Sequence, residues 1–305
     1  MELDPALERV IAVVPEWEGR EVTAVEPLTS GITNANHKVS FGDEAFVVRL
    51  MGKDTDLLGI DRAAEEEAGR AAHAAGVGPE VFAALPVLGA LITRFVEGTN
   101  IPQADLENEE VLSSVVRSVR RIHASPPIRS SFPVFRIVGE YRELAIERGV
   151  AVPVAYGEAH EWADPIETAF SKAPMPLTTC HNDLLNANLL RDGDHTWIVD
   201  YEYAGMGDPF FDLGNLSINN GLGHEAQELL MRLYFGEVRD VHRARHGLMR
   251  IMSDFREAMW GVVQQALSTL DFDYVDYADR HFARLLGNAE DPQVADWLEA
   301  AAEPV

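Results

Sequence analysis

The segment His181-Asn182-Asp183-Leu184-Leu185-Asn186-Ala187-Asn188 carries an acid, Asp183, and an amide five residues later, Asn188. Kinase catalytic loops use this spacing: the Asp accepts the proton of the substrate hydroxyl, and the Asn holds a metal ion. Further along the chain, the apolar run Ile198-Val199 ends in a second carboxylate, Asp200. The alternative is a buried Asp that caps a turn and an Asn in an Asx-turn. The three residues together favour phosphoryl transfer.

A β-hairpin is predicted between the amide and the second carboxylate. Leu189-Leu190 and Thr196-Trp197-Ile198-Val199 flank the turn signal Asp192-Gly193-Asp194. Such a hairpin brings Asn188 and Asp200 side by side at its two ends. Two oxygen ligands suit Mg²⁺, which completes its shell with water and phosphate. The sequence therefore predicts a magnesium site next to Asp183.

The composition limits the classes of partner. The chain has 305 residues, enough for one large domain or two lobes, and a formal net charge of −25. This charge argues against nucleic-acid binding, which depends on Lys and Arg contacts to phosphate, and it repels an anionic membrane surface. A negative field also raises the local concentration of cationic small molecules. The alternative is that the charge serves solubility only.

The single cysteine, Cys180, excludes an internal disulfide and fits a reducing compartment. It follows an apolar approach to the loop, so we expect a small core residue rather than a nucleophile. The sequence has no run of eighteen apolar residues, and its acidic start, Met1-Glu2-Leu3-Asp4, is unlike a signal peptide. We therefore expect a cytoplasmic protein without membrane insertion.

The first part of the chain predicts a five-stranded sheet. Residues 21–28, 37–51, 80–85 and 89–96 show strand patterns, and Gly42-Asp43 splits the second range into two strands. The short polar loop Ser30–Asn36 is typical of a loop that covers nucleotide phosphates, although it also fits an ordinary hairpin. Arg94 and Val96 lie in the predicted crossover to the rest of the chain, where adenine binds.

Arg49 lies at the end of the third strand, where a protein kinase carries its phosphate-binding lysine. A guanidinium can bind phosphate oxygens in a two-pronged fashion. Asp61 is predicted to cap a helix over residues 62–75. Glu65 lies in the first turn of this helix, and we expect it to face inward and orient Arg49.

The remainder of the chain is predicted to be mainly helical, with Asp212 at or near a helix cap, bracing the catalytic loop, and His123 structural. The predicted fold is α+β with two lobes. Residues 1–96 form a nucleotide-binding lobe with the antiparallel sheet and one helix, and residues 97–305 form a larger, mainly helical lobe for catalysis and substrate binding. Helices are predicted at about 107–123, 137–148, 159–172, 223–236, 237–268, 274–287 and 291–302.

These motifs together resemble the choline/ethanolamine kinase branch of the aminoglycoside-phosphotransferase-like kinases, which have a protein-kinase-like fold. The resemblance runs from about Leu28 to Leu286. Its most discriminating part is the stretch Met259–Gln265 followed by Phe272–Ala278. Its other parts are Ser30–Asn36, Val47–Leu50 with Gly52, Val77-Gly78-Pro79, His181–Asp183 with Asn188, and Val199–Tyr203.

The resemblance implies ATP and Mg²⁺ as cofactors and a role for each matching residue. Asp183 is the implied general base, and Asn188 and Asp200 are the implied metal ligands, with Glu202 as a further ligand. Arg49 and Glu65 form the implied phosphate-gripping pair. The phosphate loop contributes Ser30 and Asn34, and the alcohol pocket contributes Tyr203, Trp260, Phe272 and Tyr277.

Aromatic rings suit a cationic alcohol, because each desolvated ring face contributes about 0.5–2 kcal/mol to ammonium binding. The alternative for any single ring is core packing. Glu257, one helical turn before Trp260, adds a carboxylate that accepts hydrogen bonds from a primary ammonium, whereas trimethylammonium has no N–H donor. Asn219 stands where animal choline kinases carry an acidic residue. The carboxylate of Glu257 favours ethanolamine or a related amino alcohol over choline.

The leading hypothesis is thus an ATP- and Mg²⁺-dependent kinase for the hydroxyl of a small cationic amino alcohol. An aminoglycoside or amino-sugar kinase of the same fold is the alternative among enzymes. It requires a pocket walled by carboxylates, with Trp260 and Tyr277 turned into the core. A catalytically silent nucleotide-binding module is the alternative from another class. The sequence leaves open the exact alcohol and the oligomeric state, a homodimer included.

Overall fold

The structure is a computed structural model that describes residues 4–28, 35–52 and 55–305. Its N-terminal part contains a five-stranded antiparallel sheet with the strand order β1-β2-β3-β5-β4. The predicted sheet is confirmed, although its first strand begins at Ala24 rather than at residue 21. The strands are β1 (Ala24–Leu28), β2 (Ala35–Phe41), β3 (Glu44–Leu50), β4 (Val81–Leu85) and β5 (Ala90–Arg94).

A small hydrophobic core lies on one face of this sheet. Helix α1 (Pro5–Val13) supplies Leu7 and Val10, which pack with Trp17 and with alternate residues of the strands, such as Val39 and Phe46. Alternation follows from the two-residue period of a strand, which turns every second side chain to the same face. The other face of the sheet is left to line the cavity described below.

Helix α2 (Arg62–Ala74) begins at Asp61, whose carboxylate accepts hydrogen bonds from the backbone N–H groups of Ala63 and Ala64. The predicted cap is confirmed. The buried small residues of α2, Ala68 and Ala72, pack into a second and larger core that includes most of the helical part of the chain. The division of the chain at residues 96 and 97 stays a prediction.

Helix α8, the longest of the C-terminal part, is buried along most of its length and packs against α4, α6, α9 and α10. Its central position allows it to present side chains to the catalytic loop. The C-terminal helices are α3 (Glu109–His123), α4 (Val134–Glu147), α5 (Ala155–Lys172), α6 (Pro209–Asn219), α7 (His224–Phe235), α8 (Asp240–Leu267), α9 (Tyr274–Ala289) and α10 (Gln293–Ala300).

The predicted start of the helix near Asp212 was wrong. We expected the helix near Asp212 to begin there, but α6 begins one turn earlier, at Pro209, and its cap is Asp208. The carboxylate of Asp208 accepts a hydrogen bond from the N–H of Phe210. Pro209 is tolerated at the first helical position because a backbone N–H there would have no acceptor within the helix. Asp212 therefore lies inside the first turn, fully buried.

The catalytic loop lies between short strands. β8 and β9 form the predicted hairpin, with Leu189 opposite Ile198, and β6 pairs with the outer side of β8. β7 and β10 pair antiparallel below the loop. These strands are β6 (Thr99–Asn100), β7 (Thr178–Cys180), β8 (Leu189–Asp192), β9 (His195–Ile198) and β10 (Gly205–Gly207). Within the described ranges, no helix combines the length and the apolar character needed to cross a membrane.

Candidate active site

The start of the catalytic loop is held by Asp212. Its two carboxylate oxygens accept the backbone N–H groups of His181, at 2.8 Å, and Asn182, at 2.6 Å. Asn182 adopts a left-handed conformation with φ 64°, and its side-chain amide donates to the carbonyl of Tyr203 at 3.0 Å. The predicted bracing of the loop by Asp212 is therefore confirmed.

Asp212 is itself held by His123, whose Nε2 lies 2.9 Å from the carboxylate, while the Tyr234 hydroxyl lies 2.7 Å from Nδ1 of the same ring. Burial opposes ionisation, but these hydrogen bonds and the nearby imidazoles lower the pKa of Asp212. His123, Asp212 and Cys180 offer ligand atoms within 4.8 Å of one another. Hydrogen bonds already occupy both ring nitrogens of His123 and both oxygens of Asp212, so this cluster is structural.

Asp183 and Asn188 lie in contact. The side-chain amide of Asn188 donates to the backbone carbonyl of Asp183 at 2.9 Å and to its carboxylate at 3.3 Å. The N–H of Val199 donates to the carbonyl of Asn188 at 3.0 Å, which joins the two ends of the hairpin and places Asp200 next to the loop. Because the NH₂ group of Asn188 faces Asp183, its amide oxygen is the atom available as a metal ligand.

Asp200 has a positive φ of 70°, a conformation that non-glycine residues adopt rarely and that costs on the order of 1 kcal/mol or more. Its Oδ1 lies 2.7 Å from Nη1 of Arg49 without the alignment of a hydrogen bond. Such a buried carboxylate oxygen fits a hard divalent cation such as Mg²⁺. The oxygens of Asn188 and Asp200 line the same cavity and would serve as ligands of that cation; Glu202 also lines the cavity, where it lies 3.5 Å from Nη1 of Arg62.

Two arginines tie this carboxylate cluster to α2. Arg49 contacts Glu65 at 2.6 Å, and Arg62 contacts Glu65 at 2.7 Å and Glu202 at 3.5 Å. Glu65 is buried, and its contact with Arg49 confirms that it faces inward. A guanidinium held by two carboxylates keeps a fixed orientation, which suits it to bind a phosphate group in the cavity.

Burial raises the pKa of Asp183 above its ordinary value. The guanidinium of Arg256 opposes this rise, whereas the negative charges of Glu257, Asp200 and Glu202 reinforce it. A carboxyl group with a raised pKa binds a proton more readily than an exposed aspartate does. This property suits an acceptor of the proton of a substrate hydroxyl.

The cavity that contains Asp183 has an aromatic wall. Trp260 donates from Nε1 to the Tyr203 hydroxyl at 2.9 Å, and its ring centroid lies 5.6 Å from that of Tyr277. The hydroxyl of Tyr277 donates to Glu257 at 2.9 Å. All four of these side chains line the same cavity as Asp183, Asn188 and Asp200.

Two predicted substrate residues lie outside this wall. Phe272 is 39% exposed and packs against Tyr274 and Tyr277 beyond the cavity lining. Asn219 lies behind the wall and donates from its amide to Glu257 at 3.1 Å. Asn219 therefore reaches the cavity only through another side chain.

The nucleotide side of the cavity is lined by residues of the sheet and of the crossover, Val96 among them. Arg94 also borders the cavity, but its guanidinium is paired with Glu44 at 2.7 Å and Glu80 at 3.1 Å. These exposed pairs turn its charge away from the catalytic loop. The predicted phosphate-loop residues Ser30 and Asn34 lie outside the described residues.

Sequence reasoning missed Arg256. Its side chain is 2% exposed, and it contacts Glu257 at 2.9 Å, the carbonyl of Asn182 at 2.8 Å and Asp183 at 3.5 Å. The available signal was an adjacent Arg-Glu pair, one turn before Trp260, on a helix predicted to line the pocket. A buried cation requires partners of this kind, but the sequence did not identify them.

Comparison with known proteins shows the family to which the chain belongs. The model of the phosphotransferase enzyme family matches residues 24–248. Protein LicA of Haemophilus influenzae is 27% identical over 263 residues, covering 81% of this chain and 75% of LicA. Ethanolamine kinase 1 of Mus musculus is 27% identical over 322 residues, covering 90% of this chain and 86% of that protein.

A solved structure of a choline/ethanolamine kinase family protein from Mesorhizobium loti superposes with a TM-score of 0.84 at 30% identity. The match covers 97% of this chain and 99% of the other. A complex of the aminoglycoside phosphotransferase APH(2")-IIIa shares the fold, with a TM-score of 0.66 at 15% identity. The kinase-like fold predicted from the sequence is confirmed, and the chain belongs to the phosphotransferase enzyme family, in its choline/ethanolamine kinase branch.

Proposed function

We propose that this phosphotransferase moves the γ-phosphoryl group of ATP, in the presence of Mg²⁺, to the hydroxyl of a small cationic amino alcohol. The observation that carries this proposal is the shared cavity. It holds Asp183 and the oxygen ligands Asn188 and Asp200 on one side, and the aromatic wall of Trp260 and Tyr277 on the other. One small molecule can therefore contact both.

In this proposal Asp183 orients the substrate hydroxyl and accepts its proton as the phosphoryl group is transferred. Asn188, Asp200 and Glu202 would hold Mg²⁺, which neutralises phosphate charge when it is bound. Arg49, fixed by Glu65, binds phosphate oxygens of the nucleotide. Catalysis of this type depends mainly on positioning and on electrostatic stabilisation.

The ammonium group of the alcohol is assigned to the aromatic wall. The rings of Trp260 and Tyr277 pack edge to face, at an interplanar angle of 64°, and both line the cavity. A cation in the cavity gains from the ring face that it meets. Glu257 lines the same cavity, and its carboxylate, which it shares with Arg256, favours a primary ammonium with N–H donors. Ethanolamine, or an amino alcohol with few N-methyl groups, is the proposed acceptor.

The proposal is tested by measuring ATP consumption with ethanolamine, its N-methylated derivatives, choline and an aminoglycoside panel, each with and without Mg²⁺. We expect turnover with amino alcohols only and only with a divalent cation. Turnover with aminoglycosides alone would contradict the proposed substrate class. ATP binding without turnover on any acceptor would indicate a silent nucleotide-binding protein.

The role of Asp183 has its own test. Asp183→Asn keeps the shape of the side chain but removes the proton acceptor, so kcat should fall by about 100-fold or more while the affinity for ATP stays unchanged. The measurement is steady-state kinetics beside nucleotide titration. Near-normal turnover would refute the assigned role.

A further inference from the structure

Arg256 is a cation enclosed within the protein beside the catalytic loop. It lies on α8, and its side chain is 2% exposed. A buried guanidinium is costly unless charged or polar groups meet its N–H donors. Burial alone lowers the pKa of Arg256, but the carboxylates of Glu257 and Asp183 raise it above the ordinary value, so the residue stays charged.

The partners of Arg256 belong to two parts of the active site. Nη2 donates to the carbonyl of Asn182 at 2.8 Å and lies 3.5 Å from Oδ1 of Asp183. Nη1 lies 2.9 Å from Oε1 of Glu257, in the alcohol wall. The guanidinium also lies over the ring of Tyr203, 4.8 Å from its centroid. One planar group thus connects the catalytic loop to the pocket.

Asp212 holds the start of the catalytic loop, and Asn215 and Asn220 hold the backbone that follows Asp183. Asp212 accepts the N–H groups of His181 and Asn182. The carbonyl of Asn182 belongs to the next peptide unit, which leads into Asp183. Arg256 binds this carbonyl at 2.8 Å, and Nδ1 of His181 accepts the N–H of the same peptide unit at 3.2 Å, so both residues fix its plane. Since Asn182 has a positive φ, the conformation depends on such contacts to persist.

The carboxylate of Asp183 is held in the same way from two directions. Asn188 donates to Oδ2 at 3.3 Å, and Arg256 approaches Oδ1. Glu257 in turn is held by Tyr277, at 2.9 Å, and by Asn219, at 3.1 Å. Loss of Arg256 would therefore release the Asp183 carboxylate on one side, whereas Tyr277 and Asn219 would still hold Glu257 in the wall of the alcohol pocket.

We propose that Arg256 is a positioning residue for the phosphoryl transfer, which orients the Asp183 carboxylate and couples it through Glu257 to the alcohol pocket. This inference depends on the proposed kinase function. It assigns Arg256 no contact with substrate, so its loss affects the rate of the chemical step more than the binding of either substrate.

The test compares two buried arginines of the same helix. Arg256→Ala removes the proposed contact, and Arg256→Met replaces the side chain by an apolar one of similar length as a second variant. Arg245→Ala is the matched control. Arg245 is also fully buried on α8, but it binds the carbonyl of Ala301 at 3.0 Å and the ring of Phe170 at 4.6 Å, away from the cavity.

We expect both Arg256 variants to lower kcat by about 100-fold, a loss typical of a misplaced reacting group, with both KM values within about threefold of wild type. Added guanidinium chloride, at concentrations well below those that unfold the protein, should restore part of kcat to Arg256→Ala, because Arg256 borders the open cavity. Arg245→Ala should keep kcat per folded molecule and should not respond to guanidinium.

Three results would overturn the inference: unchanged kcat in the Arg256 variants, a rise in KM as large as the fall in kcat without rescue, or equal loss of activity and of folded protein in Arg256→Ala and Arg245→Ala. Folded protein is measured by circular dichroism and ATP titration. If the wild-type protein showed no activity with any acceptor, the proposed function itself would be refuted, because no kcat would exist for the Arg256 variants to lower or for guanidinium to restore.

Discussion

Trp260 lines the cavity and also packs in the hydrophobic core, with 4% of its surface exposed. Its indole N–H donates to the hydroxyl of Tyr203, which fixes the ring plane, and its ring packs edge to face with Tyr277. A buried indole with a satisfied donor is rigid, so it presents the same surface to each ligand. The residue therefore suits recognition of a small cation.

Trp260→Leu should raise the KM for the amino alcohol about 3- to 30-fold, the range that corresponds to one cation–π contact, and leave the KM for ATP unchanged. Steady-state kinetics with each substrate varied in turn measures both constants. Trp162→Leu, in a partly buried tryptophan on α5, is the control and should change neither constant. An equal rise in both constants for Trp260→Leu would show that the residue acts by supporting the core.

At the residue scale, the sequence predicted the polar centre of the site better than the contacts around it. Asp183, Asn188 and Asp200 follow one another within a loop and a hairpin, so their proximity could be inferred from local structure. Arg256 meets the loop from a helix more than fifty residues further along the chain. Such a contact depends on how α8 packs, which periodicity alone does not determine.

At the scale of elements, the close approach of α6 and α8 holds Asp212 beneath the catalytic loop. Gly214 permits this approach: a Cβ atom there would lie 2.8 Å from the backbone carbon of Met249 and 2.9 Å from the nitrogen of Arg250. Because both contacts are to backbone, no side-chain rotation can relieve them. The two helices would have to separate.

Gly214→Ala should therefore lower the free energy of unfolding by about 1–3 kcal/mol or more, as overpacking does, although alanine favours the helical conformation. Urea denaturation followed by circular dichroism measures the change. Gly139→Ala on α4 is the control, since nothing lies within 4 Å of the added Cβ, and it should stabilise the protein by about 0.5–1 kcal/mol. If both substitutions changed the free energy of unfolding in the same direction, the close contact between α6 and α8 at Gly214 would be contradicted.

Element types were predicted more reliably than element boundaries. The hairpin β8–β9 and the helices carry strong periodic or turn signals, and their existence is confirmed. Helices α4 and α5 begin about one turn before their predicted starts, and α6 begins at Pro209 rather than near Asp212. The cause for α6 is local: an Asp-Pro pair caps a helix more strongly than an acid within its first turn.

At the scale of the whole molecule, the dependence of stability on pH has a contribution from His246, which is buried on α8. Ser217 lies 2.8 Å from its Nε2. Burial, reinforced by the positive charge of Arg250, lowers the pKa of His246 to about 3, against an ordinary value of about 6.5. Between about pH 3 and pH 6.5, His246 is therefore protonated in the unfolded chain and neutral in the folded chain.

Protonation of His246 in the unfolded chain does not lower the free energy of unfolding above about pH 6.5. As the pH falls from 6.5 toward 3, it lowers the free energy of unfolding by at most about 5 kcal/mol. His246→Gln removes the titrating group, so its free energy of unfolding should decline less steeply between pH 6.5 and 4 than that of wild type. Urea denaturation at a series of pH values measures both curves. Parallel curves would show that His246 is not the group that titrates.

The burial of Cys180 has a practical consequence for attaching probes to the protein. Cys180 is fully enclosed in β7, and burial raises the pKa of its thiol well above the ordinary value, so it resists maleimide reagents in the native protein. Cysteines introduced at the exposed positions Val87, on the sheet side, and Val154, at the start of α5, can then carry a fluorescent donor and acceptor in the otherwise natural sequence. Energy transfer between them would report whether the distance between these two positions changes when ATP and the proposed alcohol are added.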